Sequence, residues 1–316
     1  MLKTNRHQLV EIAVAGEVAT ASYSGGPTIT SQTGQPRVIP RYGGIVYNVR
    51  VGDSAFGWEG DHIEPGVSLS HPDRSARDAL GVYGCIGNPA RVLTGRAKGA
   101  HGVVTGKHGV FHLLIDFPPD ALANLQIGDR VQVRALGVGL CIDGFPEVAV
   151  KNIDPGLLEA LGIRAGADHK LEVPVAARVP AELVGSGSGE LGHGGDIDIQ
   201  TADRRAIQQH GLETLRLGDI IALDDCDSAY GVVHRPGAVT VGIVAHCDSF
   251  QASHGPGVVP ILCSWSGEIE LHVVPDVNIA TLLGIGSARS TRNSNQCGED
   301  PCREPSAGRE AGGRRG

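Results

Sequence analysis

The hydrophobic positions of this chain fall in short runs broken by glycine rather than in helical stripes. Arg91 to Thr94, Gly102 to Thr105 and Val110 to Asp116 read as brief strands parted by glycines. Ile127 to Val133 is a Gly-Asp turn entering an alternating strand, and the device recurs at Leu217 to Leu223, hinting at a duplicated small barrel or sandwich. Gly44 to Val51, Val258 to Ser264 and Ile269 to Val274 are further strand candidates. Helices are short: Pro118 to Leu125 with prolines in its first turn, Asp154 to Leu161 with Asp154 as cap and Pro155 first, a segment capped by Thr201 running to about His210, and Asp276 to Leu283. The pattern predicts an α+β fold that is predominantly β, with a short-stranded barrel or sandwich-like core and a few short helices.

The stretch Gly237 to Gly257 organises the rest. Ala238 to Ala245 is a run of small and β-branched residues that reads as a buried strand, and it delivers His246, Cys247, Asp248 and Ser249 to a rim closed by His254-Gly255-Pro256-Gly257. If the strand continues, the period of two puts His246 and Asp248 on one face and Cys247 on the other. Asp196 and Asp198 share a face in the same way, just after His193 and the passage Gly185 to Gly195. In the loop around Trp58, Asp53, Glu59, Asp61, His62 and Glu64 crowd between glycines. A solvated loop anchored by Trp58 would show the same composition, and strand-end histidines also serve simply to bond loop backbone. A third acid cluster, Asp224, Asp225 and Asp227, follows the second Gly-Asp strand.

Composition sharpens this picture. With 46 glycines, 18 prolines and 4% aromatic residues in 316 positions, many turns and short strands are expected. The reading is one compact domain over residues 1–284, with two intertwined β subdomains at about 1–150 and 151–284 as the alternative, and a disordered tail over 285–316. The formal charge of −8 excludes a nucleic-acid-binding body, because neutralising phosphates needs a basic surface. No apolar run approaches the roughly 18 residues that span a bilayer, and the polar start MLKTNRHQ has no signal-peptide core. A cytoplasmic protein without nucleic-acid or membrane partners is expected, and an extended β surface favours a homo-oligomer. The seven scattered cysteines, Cys297 and Cys302 in the tail among them, fit reduced thiols.

Four segments, GDSAFGWEGDHIEPGVS, ARVLTGRAKGAHGVVTGKHG, LRLGDIIALDDCDSAYG and GAVTVGIVAHCDSFQASHGPGV, together resemble a bacterial and archaeal family known as a domain of unknown function, over most of residues 40–275. The resemblance implies one strand-rich α+β fold. More distantly, Gly194-Gly195-Asp196-Ile197-Asp198 and His246-Cys247-Asp248 are similar to motifs of the acetamidase/formamidase family, with Asp in place of Asn at 196 and a His-x-Asp order at 246–248. That similarity implies metal-assisted amide hydrolysis.

The leading expectation is therefore a metal-assisted hydrolase acting on a carbon–nitrogen bond of a small molecule. His246, Asp248, Asp196 and Asp198 would hold a divalent ion, zinc by preference, and Glu59, Asp61 or His254 would act as general base. Two alternatives stand beside it: a metal-independent isomerase, lyase or cyclase using paired acids such as Asp196 with Asp224 or Asp227, and a non-catalytic binding or assembly protein. Cys247 beside His246, or Ser249 or Ser253 with His254, are the nucleophile candidates.

Overall fold

The computed structural model describes residues 2–23, 28–109, 111–166, 168–187 and 195–289. Strands dominate, and among the described residues the five α-helices are all short. The N-terminal half closes on itself. Ile12–Val18, Arg130–Ala135, Pro89–Val92, His101–His108, His112–Asp116 and Gly66–Ser70 follow one another around a six-stranded antiparallel barrel, and Glu17 and Val18 pair with Ser70 and Leu69 to complete the circle. Arg130–Ala135 alternates exposed and buried at every position, as a strand with one wet face must. Its inward residues Val131 and Val133 join Val67, Leu69, Val104, Ile115 and Phe117 in the barrel core.

The C-terminal half is a half-barrel. Ala177–Val179, Ile220–Asp227, Val233–His246, Gly257–Ser264, Ile197–Ile199 and Val184–Gly187 lie in that order, and Val148–Val150 adds to the edge of Gly257–Ser264. Every residue of Gly257–Ser264 is buried, because core residues cover both its faces, Val259 and Ile261 on one side and Val258 on the other. This explains its unbroken apolar sequence. Ile285 packs into the same core and Arg289 reaches Asp116 at 2.9 Å, so the folded body runs through Arg289 rather than stopping at 284. Residues 290–316, with Cys297 and Cys302, lie outside the described residues.

Local signals resolve case by case. Asp154 caps Pro155–Ala160, accepting from the backbone N–H groups of Gly156 and Leu157. The two Gly-Asp turns share one geometry: Gly128 and Gly218 both take positive φ, and Asp129 and Asp219 each accept from a backbone N–H three residues earlier. Thr201 does not cap the next helix. Asp203 does so for Arg204–Gln209, since its carboxylate reaches the N–H groups of Arg205 and Ala206. The helix expected over 276–283 is Ile279–Leu283, capped by Asn278, and strand pairing in 44–51 is confined to Ile45–Val46.

Barrel and half-barrel meet where His101–His108 crosses Val233–His246. A Cβ on Gly106 would come within 2.7 Å of the Ala245 Cβ, so only glycine lets the strands approach this closely. The approach sets the ring of His108 4.3 Å from that of His246.

Candidate functional site

At this junction five histidines and four carboxylates gather from five segments of the chain. The loop after Val51 supplies Asp61, His62 and Glu64. It is tied to the half-barrel by backbone bonds from His62 N–H to Asp248 O and from Cys247 N–H to Ile63 O. His62 takes φ +54°, a left-handed conformation that β-carbon residues adopt only when their surroundings hold them there. His108 and His112 are direct cross-strand partners flanking a tight turn, so both imidazoles stand on one face. Asp196 and Asp198 flank Ile197, whose side chain turns to the core, and His246 and His254 lie on either side of the rim.

The donor atoms converge. His246 Nε2 lies 2.7 Å from Asp196 Oδ2 and 3.5 Å from Asp198 Oδ1, while its Nδ1 is held 2.9 Å from the carbonyl of Cys247. His62 Nε2, His254 Nδ1 and Asp198 Oδ2 form a triangle with edges of 3.2, 2.6 and 3.5 Å. The far nitrogen of His62 contacts Asp61 at 3.1 Å. Asp61 also accepts from Arg41, Ser249, Gln251 and the backbone of Phe250. Glu64 takes Nδ1 of His108 at 2.5 Å and Nδ1 of His112 at 2.8 Å, together with the Ser68 hydroxyl and the Gly43 N–H. Gly109 N–H donates to Asp196 Oδ1 at 2.7 Å.

Burial disfavours charge on all of these groups, and the opposite partners outweigh it. Despite burial, His108 and His112 hold the Glu64 carboxyl far below the usual range. His62 and Ser249 do the same for Asp61. Asp196 is lowered by His246 and His108, and Asp198 is driven well down by His246, His254 and His62. In return His246, though wholly buried, is raised well above the ordinary imidazole value by the two aspartates, and His62 is raised by Asp198 and Asp61. All four carboxyls are thus biased toward the ionised form, and His246 and His62 toward the protonated one.

Three sets of donor atoms among the described residues are close enough to hold an ion: His62, Asp198 and His254; His108, Asp196 and His246; and Glu64, His108 and His112. In the first, the triangle defines a circle of about 1.8 Å radius. An ion roughly 2.0–2.1 Å from each atom would sit about 1 Å above their plane. Two imidazoles and one carboxylate suit zinc and neighbouring first-row ions. The far nitrogens of His62 and His108 rest on Asp61 and Glu64, the outer carboxylate that orients a metal-ligating histidine.

Of the residues expected from sequence, His246, His254, Asp61, Asp196 and Asp198 are thus brought together. Asp248 is not: the strand ends at His246 with a register shift between Val244 and His246, and the Asp248 carboxylate turns away to Thr201 at 2.7 Å and Arg204 at 2.8 Å. Glu59 is largely exposed and pairs with Arg37. Asp224 faces Arg178 and Asp227 faces Arg235, so neither pairs with Asp196. His193 and Gly194 lie outside the described residues. Sequence reasoning named His62 and Glu64 only as members of the crowded loop around Trp58, and it passed over His108 and His112. The available signal for the last two was the spacing in His108-Gly-Val-Phe-His112, a hairpin that must present both rings on one face.

Among the described residues no helix is long and apolar enough to cross a membrane. No curated protein matches the chain, and the acetamidase/formamidase similarity is not confirmed. The structure described as "Crystal structure of TM1086" is 44% identical, with a TM-score of 0.84 over 88% of this chain and 98% of that one. The Domain of unknown function (DUF4438), N-terminal, matches residues 29–159, and its C-terminal counterpart matches residues 160–283. The chain belongs to the DUF4438 family.

Proposed function

We propose that the chain is a metal-assisted hydrolase of small molecules, with a carbon–nitrogen bond of the amide type as the substrate class to test first. The observation that carries this reading is the triangle of His62 Nε2, His254 Nδ1 and Asp198 Oδ2, backed by Asp61 behind His62 and partly exposed at His254. An ion such as zinc bound there would acidify a coordinated water and polarise a substrate carbonyl. The residues supply the rest. Asp61 fixes the tautomer and orientation of His62, the backbone of Cys247 fixes His246, and His254, with 35% of its side chain exposed, marks the side from which solvent and substrate reach the centre.

The competing readings find less support. An acid–base pair of carboxylates needs one of them to keep its proton near neutrality, whereas Asp196 and Asp198 are both lowered. Burial pushes the Cys247 thiol far up, which removes it as a thiolate nucleophile. Ser249 donates to Asp61, and the serine beside His254 is Ser186. Its hydroxyl lies 3.0 Å from Nδ1 and 3.3 Å from Nε2 of His254, beside both ring nitrogens rather than in line with Nε2, which is not the geometry of a serine–histidine–aspartate relay.

The test is elemental analysis of purified protein together with turnover of an amide panel before and after chelation. Bound metal with chelator-sensitive turnover supports the proposal. Protein that retains no metal and whose melting temperature ignores added Zn²⁺ and Mn²⁺ refutes it, and retained metal without turnover points instead to a structural cation.

A further inference from the structure

We infer that the centre holds two metal ions, with Asp198 bridging them; the inference rests on the metal-centre reading above. The two oxygens of Asp198 face different histidines. Oδ2 lies against His254 and His62, and Oδ1 lies 3.5 Å from His246 Nε2. His246 in turn belongs to the second donor set with Asp196 and His108. Because Nδ1 of His108 is engaged by Glu64, its other ring nitrogen is the one free to join that set. The ring of His62 is 5.1 Å from that of His246 and 5.5 Å from that of His108, so the sets lie side by side. A carboxylate bridging them one oxygen each corresponds to an ion separation of about 3.5–4 Å, the span of two-metal hydrolytic centres.

Charge supports the same count. Asp61, Glu64, Asp196 and Asp198 are all buried, and the described side chains bonded to them include one permanent cation, Arg41. Metal ligation requires neutral imidazoles, and once their protons are displaced three negative charges are left buried without a compensating cation, which is costly. One divalent ion leaves one of them; two ions with a single anionic ligand leave none. The positions also differ in kind. The His108, Asp196 and His246 set gains a fourth donor in Asp198 Oδ1, and His246 is wholly inaccessible, the arrangement of a closed site. The His62, Asp198 and His254 set has three donors, one of them on a partly exposed imidazole. The buried ion would hold charge and geometry, and the outer one would meet substrate.

The experiment is titration of metal-stripped full-length chain with Mn²⁺, read as equivalents retained after desalting and as the EPR spectrum. Two equivalents with the spectrum of an exchange-coupled pair are expected. In His246→Ala one equivalent should remain with an uncoupled six-line signal. A single equivalent in the unaltered protein overturns the pair while leaving the hydrolase reading intact. Two equivalents without coupling overturn the bridge. No retained metal, with Zn²⁺ giving the same result, overturns both. Because the unaltered protein decides the count, a His246→Ala chain that fails to fold leaves the inference fully testable.

Discussion

A single methyl group at Gly257 should dismantle the buried half of the centre. Gly257 pairs with His246 across the sheet, and its backbone is not left-handed, so alanine meets no conformational penalty there. The cost is all contact. A Cβ at this position would lie 2.1 Å from Nε2 of His246, 2.2 Å from Oδ2 of Asp196 and 2.4 Å from Cδ2 of His246. The imidazole and the carboxylate must each retreat by about 1 Å, and the fully buried His246 has no space to do so without moving its neighbours, an overpacking that costs about 1–3 kcal/mol. Their 2.7 Å charge-assisted bond is lost as well, worth about 1.5–3 kcal/mol. Gly257→Ala should therefore lower the stability of the metal-free protein by roughly 2.5–6 kcal/mol and reduce retained metal by one equivalent. Urea unfolding monitored by circular dichroism, with metal analysis on the same sample, measures both. A variant that unfolds at the same urea concentration and keeps its full metal content would refute the claim that His246 and Asp196 are wedged against the backbone at Gly257.

Other positions report on the same logic. Asp61→Asn keeps the shape but removes an acceptor from His62 and from Arg41, so metal affinity measured by chelator competition should fall about 10- to 100-fold; an unchanged affinity would show that Asp61 does not orient the ligand. Asp248→Asn should leave metal content untouched, since that carboxylate serves Thr201 and Arg204, and loss of metal would restore it as a ligand. Lys107 is buried to 1% exposure beside Asn152, and burial pushes its amine down to about 8 from 10.5. Between those pH values the unfolded chain carries a proton that the native chain has lost. Stability should therefore rise by about 3 kcal/mol as pH climbs from 8 to 10.5, the penalty being fully present below 8. Lys107→Met should abolish that rise in unfolding curves at pH 7, 8.5 and 10; a slope that persists would place its origin in another group.

What the sequence made legible was local. The apolar run to Ala245, the alternation around Ile197 and the Asp154 cap each depend on neighbours within a few positions, and the structure places them accordingly. The site was legible only in part because its geometry is set by contacts between distant segments. His108 and His112 look like ordinary strand residues until Gly106 brings their hairpin against Ala245, more than 130 positions away. His62 and Glu64 stood in a loop rich enough in acids to pass for a solvated one, although both are buried by that same junction.

The failure at Asp248 has a different origin, and it bears on how the centre is built. A period of two places His246 and Asp248 together only if the strand stays regular, and the register shift after Val244 breaks that rule where the histidine must turn toward Asp196. An unbroken strand would carry Asp248 into the cluster as a fifth carboxylate. The bulge instead separates the two. His246 goes to the centre, while the backbone of Asp248 bonds to Ala55 and His62, tying the loop that carries Asp61, His62 and Glu64 onto the half-barrel, and its carboxylate turns to Thr201 and Arg204. One irregularity thus limits the charge of the site and positions three of its donors, which makes Asp248 a tie beside the donor cluster rather than a member of it.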